Sequence, residues 1–200
     1  MNMTVHTDAI GLTALILVVL AWVGFAVIFI FRKKAPQRGE EVKRSNQAIA
    51  GIILQGVSFG LVWTFRRAYW WPFPASVAGE AALAAVAVVM AWASSWWCLR
   101  AVQTLGKQWT VAARVIAGHE LITDGPYRVV RNPIYLGMFG IMIATGLVLA
   151  TWWALLMAIA VFLIGNQIRV KEEERLLGET FGQQFVDYAK RVPAFLPRMR

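Results

Sequence analysis

The 200 residues are 58% hydrophobic and 16% charged, with 20 Lys+Arg against 11 Asp+Glu and a net charge of +9, whereas average chains run near 45–50% apolar and about 25% charged. That balance excludes a disordered chain, which needs few apolar residues and many charges, and the lone Cys98 excludes a disulfide scaffold. The apolar excess also argues against a soluble nucleic-acid binder and predicts an integral membrane protein, one membrane domain over residues 1–200.

Windows free of charged residues mark the predicted spans. The first runs from Ala9 to Phe31 and ends at Arg32-Lys33-Lys34. Met1 to Asp8 holds no Lys or Arg, so this window reads as a signal-anchor helix and not as a signal peptide. The second runs from Ser45 to Phe65 and ends at Arg66-Arg67. The loop Ala68 to Ser76, rich in aromatics and proline, reads as an interfacial belt. The third runs from Ala81 to Leu99, before Arg100; its small residues Gly79, Ala82, Ala85 and Ala93 suit close helix packing, within or between chains. Cys98 reads as a small packing residue. The fourth, Asn132 to Ile168, holds 37 residues. As one helix it would reach about 55 Å, nearly twice a hydrocarbon core of about 30 Å. It is therefore predicted to be a hairpin that turns near Thr151-Trp152-Trp153. The expected spans are 9–31, 46–65, 80–99, 134–150 and 152–168. The fold class is all-α: a polytopic membrane helix bundle of about five transmembrane helices, the last two a hairpin, followed by a cytoplasmic C-terminal helix.

The basic residues orient this bundle. Six Lys/Arg lie between Arg32 and Arg44, five between Arg100 and Arg131, and seven after Gly165. With the N-terminus outside and the C-terminus cytoplasmic, those loops all face the cytoplasm and only Arg66 and Arg67 lie outside, as the positive-inside rule favours. In a bacterium this would be the inner membrane. The lipid bilayer is the first expected partner, and the positive charge suits anionic headgroups. The oligomeric state is not legible.

Polar residues concentrate in two predicted cytoplasmic parts, 100–133 and 166–200. In the first, Asp124-Gly125-Pro126 is turn chemistry, and Pro133 suits the first turn of the next span. In the second, Arg169 and Glu173 are four apart and share a helix face. Taken alone, these features are a turn entering a membrane helix and a solvated helix pair. The sharper alternative is a pocket at the cytoplasmic mouth of the bundle, because ionisable residues at a membrane boundary are costly and tend to mark sites. No metal site is predicted.

The ordered set of residues is more specific than any piece of it. Gly125-Pro126-Tyr127, Arg131-Asn132-Pro133 and Tyr135 precede the hairpin; Arg169, Glu173, Glu174, Leu177, Phe181-Gly182, Phe185, Tyr188 and Val192-Pro193 follow it. This set resembles the isoprenylcysteine carboxyl methyltransferase family, whose pattern phospholipid methyltransferases share. The resemblance covers about half the chain, roughly Leu105 to Pro197; the first hundred residues match only as hydrophobic spans. It departs at two positions. The family histidine is Asn132 here, which keeps hydrogen bonding but not imidazole basicity. A family tyrosine is Phe185, which keeps the ring and loses the hydroxyl.

The resemblance implies transfer of a methyl group from S-adenosylmethionine to an apolar or lipid-like acceptor, such as a prenylated molecule, carrying a carboxylate, thiol or amine. It implies that Arg169 and Glu173 are catalytic, with Arg169 orienting the nucleophile and Glu173 facing the cofactor. It implies cofactor contacts or pocket walls at His119, Leu121, Gly125, Tyr127, Asn132, Pro133, Tyr135 and Glu174. Two alternatives remain. Sterol reductases end in a similar pattern and bind a nicotinamide nucleotide, and a non-catalytic membrane assembly protein would keep the fold without the chemistry. A transporter fits less well, since the spans carry almost no ionisable residues and show no repeat.

Overall fold

The structure is a computed structural model that describes residues 9–30, 41–44, 47–66, 77–106, 114–116 and 120–197, with backbone alone at 41–44, 47, 77 and 114–116. The predicted interfacial loop Ala68 to Ser76 and the candidate His119 lie outside the described residues.

Among the described residues six α-helices carry the chain: α1 (Ala9–Ile30), α2 (Gln47–Thr64), α3 (Val77–Leu105), α4 (Pro133–Leu149), α5 (Trp152–Phe181) and α6 (Gln183–Arg191). Helices within Ala9–Ile30, Ala78–Leu105 and Trp152–Phe181 are long and apolar enough to cross a membrane; the apolar helices Ala48–Thr64 and Pro133–Leu149 are shorter. At 1.5 Å per residue, 17 residues reach about 26 Å, near the lower limit for a span. The bundle itself is all-helical, and one short ribbon accompanies it. Strands β1 (Glu41–Arg44) and β2 (Arg114–Ile116) form a short antiparallel ribbon, with Arg44 opposite Arg114. It ties the connection before α2 to the one after α3, and no alternating apolar pattern announced it.

Two helix ends differ from expectation. Helix α3 passes Arg100 and ends at Leu105. A charge ends an apolar window without ending a helix; the end comes where Gly106 takes φ +58. Beyond the last span, α5 continues unbroken to Phe181, so the helix carrying Arg169 and Glu173 is the span's own extension. It breaks at Gly182, φ +54, and α6 follows. The hairpin turn lies at Ala150-Thr151, and Trp152 and Trp153 open α5. Phe65 at the end of α2 meets this turn, its carbonyl accepting from Thr151 N at 2.9 Å.

Helix α4 is the centre of the bundle. One of its faces packs Ile141, Ala144 and Val148 against Ala14, Val18 and Ala21 of α1 and Ala84, Ala87 and Ala91 of α3. Another packs Met142 against Val62 of α2 and Ala154, Leu155, Ala158 and Phe162 of α5. The buried small residues of α3 include Ala84, Ala87, Ala91, Ser94, Ser95, Cys98 and Ala101, while Gly79, Ala82, Ala85 and Ala93 are exposed. Cys98 sits where α3 and α4 come closest: a β-carbon on Gly137 would collide with its sulfur. Two polar groups inside the bundle find partners across helices. Trp22 Nε1 donates to Thr145 Oγ1 at 2.9 Å, and Ser95 Oγ to Ala21 O at 3.0 Å. The outer face exposes large apolar side chains, among them Ile16, Val23, Val89, Trp96 and Leu156. A helix bundle with an apolar exterior suits lipid as its solvent.

Candidate active site at the polar end of the bundle

The segment before α4 is shaped by its glycine and proline. Gly125 has φ +57, and a β-carbon there would lie 2.9 Å from Thr104 Oγ1, so both backbone and space require glycine. Pro126 follows in a 3-10 turn over Gly125–Arg128, where Tyr127 N donates to Asp124 O at 3.1 Å. Tyr127 is buried, and its carbonyl accepts from the hydroxyl of Tyr188 in α6 at 2.7 Å. Burial pushes the Tyr188 phenol up to about 12; Arg131 opposes the shift and Glu174 adds to it.

Arg131 and Asn132 clasp the two ends of the C-terminal half. Arg131 Nε donates to Glu174 Oε1 at 2.8 Å and Nη2 to Oε2 at 2.9 Å, a bidentate pair. Its Nη1 donates to the carbonyls of Ala189, at 2.9 Å, and Val192. The backbone N of Arg131 donates to Pro193 O and that of Asn132 to Ala194 O. Asn132 Nδ2 also donates to Ala194 O at 2.9 Å and to Glu174 Oε1 at 3.4 Å. The start of α4, the polar half of α5 and the strap after α6 are thereby joined.

Beneath the clasp lies a buried ionic cluster. Arg169, 7% exposed, donates through Nη2 to Glu173 Oε1 at 3.2 Å. Tyr135, one turn into α4, donates its hydroxyl to the same oxygen. The Arg169 guanidinium carbon stands 4.7 Å from the centre of the Tyr135 ring, a cation–π contact. Among the described residues, Glu173 Oε2 takes no hydrogen bond, and the side chain keeps 26% exposure. On the other side, Arg169 Nη1 donates to Gln55 Oε1 of α2 at 3.4 Å. Gln55 is 2% exposed and, among the described residues, its Nε2 has no hydrogen-bond partner; Asn166, 4% exposed and one turn before Arg169, likewise has none for Oδ1. From Trp152 to Arg169, α5 rises about 25 Å, and from Gln47 to Gln55, α2 descends about 12 Å. The cluster therefore lies below the rim of the bundle, where two opposite charges hold one another.

Of the residues singled out in the sequence, Arg169, Glu173 and Tyr135 come together. Glu174 and Asn132 are engaged in the clasp. Gly125 shapes the turn, Tyr127 anchors α6, Leu121 is half-buried, and buried Pro133 opens α4. The sequence reading did not single out Gln55 or Asn166; a polar amide within an otherwise apolar span was the available signal. Nor did it assign Arg131 its clasp. Among the described residues no cluster of His, Cys, Asp and Glu could hold a metal ion. The exposed Arg175 pairs with the buried Glu172 at 3.1 Å and with the exposed Glu179 at 2.7 Å, the latter an ordinary surface pair.

The model of the phospholipid methyltransferase family matches residues 82–184, just over half the chain. The chain belongs to that family. The match takes in α3, α4, α5 and the ionic cluster apart from Gln55. Individual relatives are similar over the same order of length. Protein-S-isoprenylcysteine O-methyltransferase B of Arabidopsis thaliana is 33% identical over 100 residues, 48% of this chain and 50% of that protein. The protein-S-isoprenylcysteine O-methyltransferase of Schizosaccharomyces pombe is 34% identical over 88 residues, 44% and 37% of the two chains. The nickel-cobalt-cadmium resistance protein NccN of Alcaligenes xylosoxydans xylosoxydans is 36% identical over 100 residues, 48% and 45%. The chain thus spans about half the length, or less, of these relatives.

Proposed function

We propose that this protein transfers a methyl group from S-adenosylmethionine to an apolar, lipid-like acceptor at the cytoplasmic face of a membrane, with its five apolar helices crossing the bilayer and its C-terminus in the cytoplasm. The observation that carries this reading is the buried Arg169–Glu173 pair, braced by Tyr135, within the part of the chain that belongs to the methyltransferase family.

The donor set fits the cofactor. When bound, S-adenosylmethionine supplies a methyl group on a positively charged sulfur, open to in-line displacement. The Glu173 carboxylate, its Oε1 tied by Tyr135 and Arg169, directs the remaining negative charge toward such a cation. Arg169 presents planar N–H donors that hold and align an acceptor oxygen. Alignment is what this displacement needs most, and it requires no strong acid or base. Tyr127, Leu121 and the tight Gly125 turn furnish walls at the polar end. Asn132 serves as a hydrogen-bond donor, a task that needs no basicity. A recessed site beneath apolar helices suits an acceptor whose tail stays in the bilayer.

The test is calorimetric titration of the detergent-purified protein with S-adenosylhomocysteine. We expect binding in the wild type, strong loss in Glu173→Ala, and abolished methyl transfer in Arg169→Ala with the fold retained. Binding of a nicotinamide nucleotide in place of S-adenosylhomocysteine would overturn the reading in favour of a membrane reductase, and binding of neither would leave a non-catalytic protein.

A further inference from the structure

We propose that Gln55 of α2 selects the acceptor: its Oε1 positions Arg169, and its Nε2 donates to an oxygen of a carboxylate on the acceptor head. The inference rests on the reading of Arg169 as the acceptor-orienting residue and extends the site to a helix outside the family-matched residues 82–184.

Chemistry fixes the orientation of the Gln55 amide. A guanidinium has donors only, so the amide oxygen must face Arg169 and the NH2 must point away from it. That NH2 is buried and, among the described residues, has no hydrogen-bond partner. A buried amide without a partner costs free energy, and native proteins keep few of them. Here the cost is also avoidable, since Leu would fill a similar volume at this position. Helix α2 is brought to Arg169 by an unusually close approach. A β-carbon on Gly51, one turn before Gln55, would lie 2.5 Å from Arg169 Cγ and 2.6 Å from Gly165 O. Two glycines thus seat a polar amide against the buried Arg169.

Donors from two helices then converge where the acceptor must be held. A carboxylate uses both, one oxygen on Arg169 and one on Gln55 Nε2, and is itself the nucleophile. The depth of Gln55, about 12 Å along α2, suits a head attached to a membrane-embedded tail.

The experiment measures the affinity of the full-length, detergent-purified protein for N-acetyl-S-farnesylcysteine and for its methyl ester, in wild type, Gln55→Leu and Gln55→Glu. S-adenosylhomocysteine binding and thermal unfolding are followed in the same samples. The wild type should bind the acid more tightly than the ester. Gln55→Leu should weaken acid binding about tenfold, the size of one hydrogen bond to a charged group, and ester binding less, because the ester carbonyl loses only a neutral hydrogen bond. Gln55→Glu, which replaces the donor by a carboxylate oxygen, should lose more of the acid than of the ester. A wild type with no preference for the acid, or a folded Gln55→Leu that keeps the full preference, overturns the proposal. Failure to bind S-adenosylhomocysteine overturns the methyltransferase reading instead, and leaves the acid–ester comparison to be judged separately.

Discussion

Gly51 of α2 and Gly165 of α5 interlock: a β-carbon on Gly51 would stand 2.6 Å from the Gly165 carbonyl oxygen, and one on Gly165 would stand 2.9 Å from the Gly51 carbonyl oxygen. Small residues let helix backbones approach in this way where lipid gives no hydrophobic drive between helices. The contact lies one turn from both Gln55 and Arg169, so the packing of two apolar helices sets the geometry of the ionic cluster. Gly51→Ala and Gly165→Ala should each destabilise the bundle by about 1–3 kcal/mol, the usual cost of overpacking. They should also reduce turnover, since the backbones must part and move Arg169. Denaturant unfolding in detergent, with transfer rates on the same samples, checks both effects.

Asn132 and Ala194 give a second test. Asn132 Nδ2 donates to the Ala194 carbonyl at 2.9 Å. Asn132→His should be tolerated, since an imidazole N–H can make the same bond. Asn132→Leu should loosen the strap by about 1 kcal/mol. Limited proteolysis of residues 192–197 should be faster in Asn132→Leu and little changed in Asn132→His. Equal cleavage in all three proteins would deny the side chain this role.

Tyr135 holds Glu173 through its hydroxyl while Arg169 stacks on its ring. Tyr135→Phe keeps the ring and removes the donor. Transfer should fall roughly five- to thirtyfold, as expected for a lost charge-assisted hydrogen bond of about 1–2 kcal/mol. The melting temperature should move little by comparison. Tyr135→Leu, which removes the ring as well, should be worse in both.

Tyr188 predicts a dependence on alkaline pH. Its phenol is held up to about 12 in the folded protein, above the ordinary value near 10. Between those values the unfolded chain releases this proton and the folded chain keeps it. Folded stability from this group is therefore complete below pH 10 and declines as pH rises toward about 12. Tyr188→Phe should flatten that decline, measured as unfolding midpoints across the alkaline range beside the wild type.

The helices were legible because lipid demands long uncharged runs, and the i,i+4 spacing of Arg169 and Glu173 brought out their pairing. The ends of α3 and α5 were not, because Arg100 and Arg169 mark where apolar composition stops and carry no helix-breaking property. The ribbon between Glu41–Arg44 and Arg114–Ile116 was hidden for a related reason: its charged strands lack the alternation that announces a half-buried sheet. In the site, residues close in sequence to the motif were found, whereas Gln55 was missed. It lies 114 positions from Arg169, and no local pattern encodes which faces of α2 and α5 meet. Arg131 was read as part of a motif, but its five-bond clasp depends on the strap folding back from beyond α6.

That clasp has a mechanical consequence. Helices α4 and α5 are joined at one end by the Ala150-Thr151 turn and at the other by Arg131 on Glu174. With the latch intact the pair is a closed frame, and a greasy molecule cannot pass by prising these two helices apart. With the latch cut, the frame becomes a pair of arms hinged about 25 Å away, and a ten-degree swing would shift the Arg169 level by about 4 Å. Under the methyl-transfer reading proposed above, three atoms must be held in line, so an acceptor would enter through another wall.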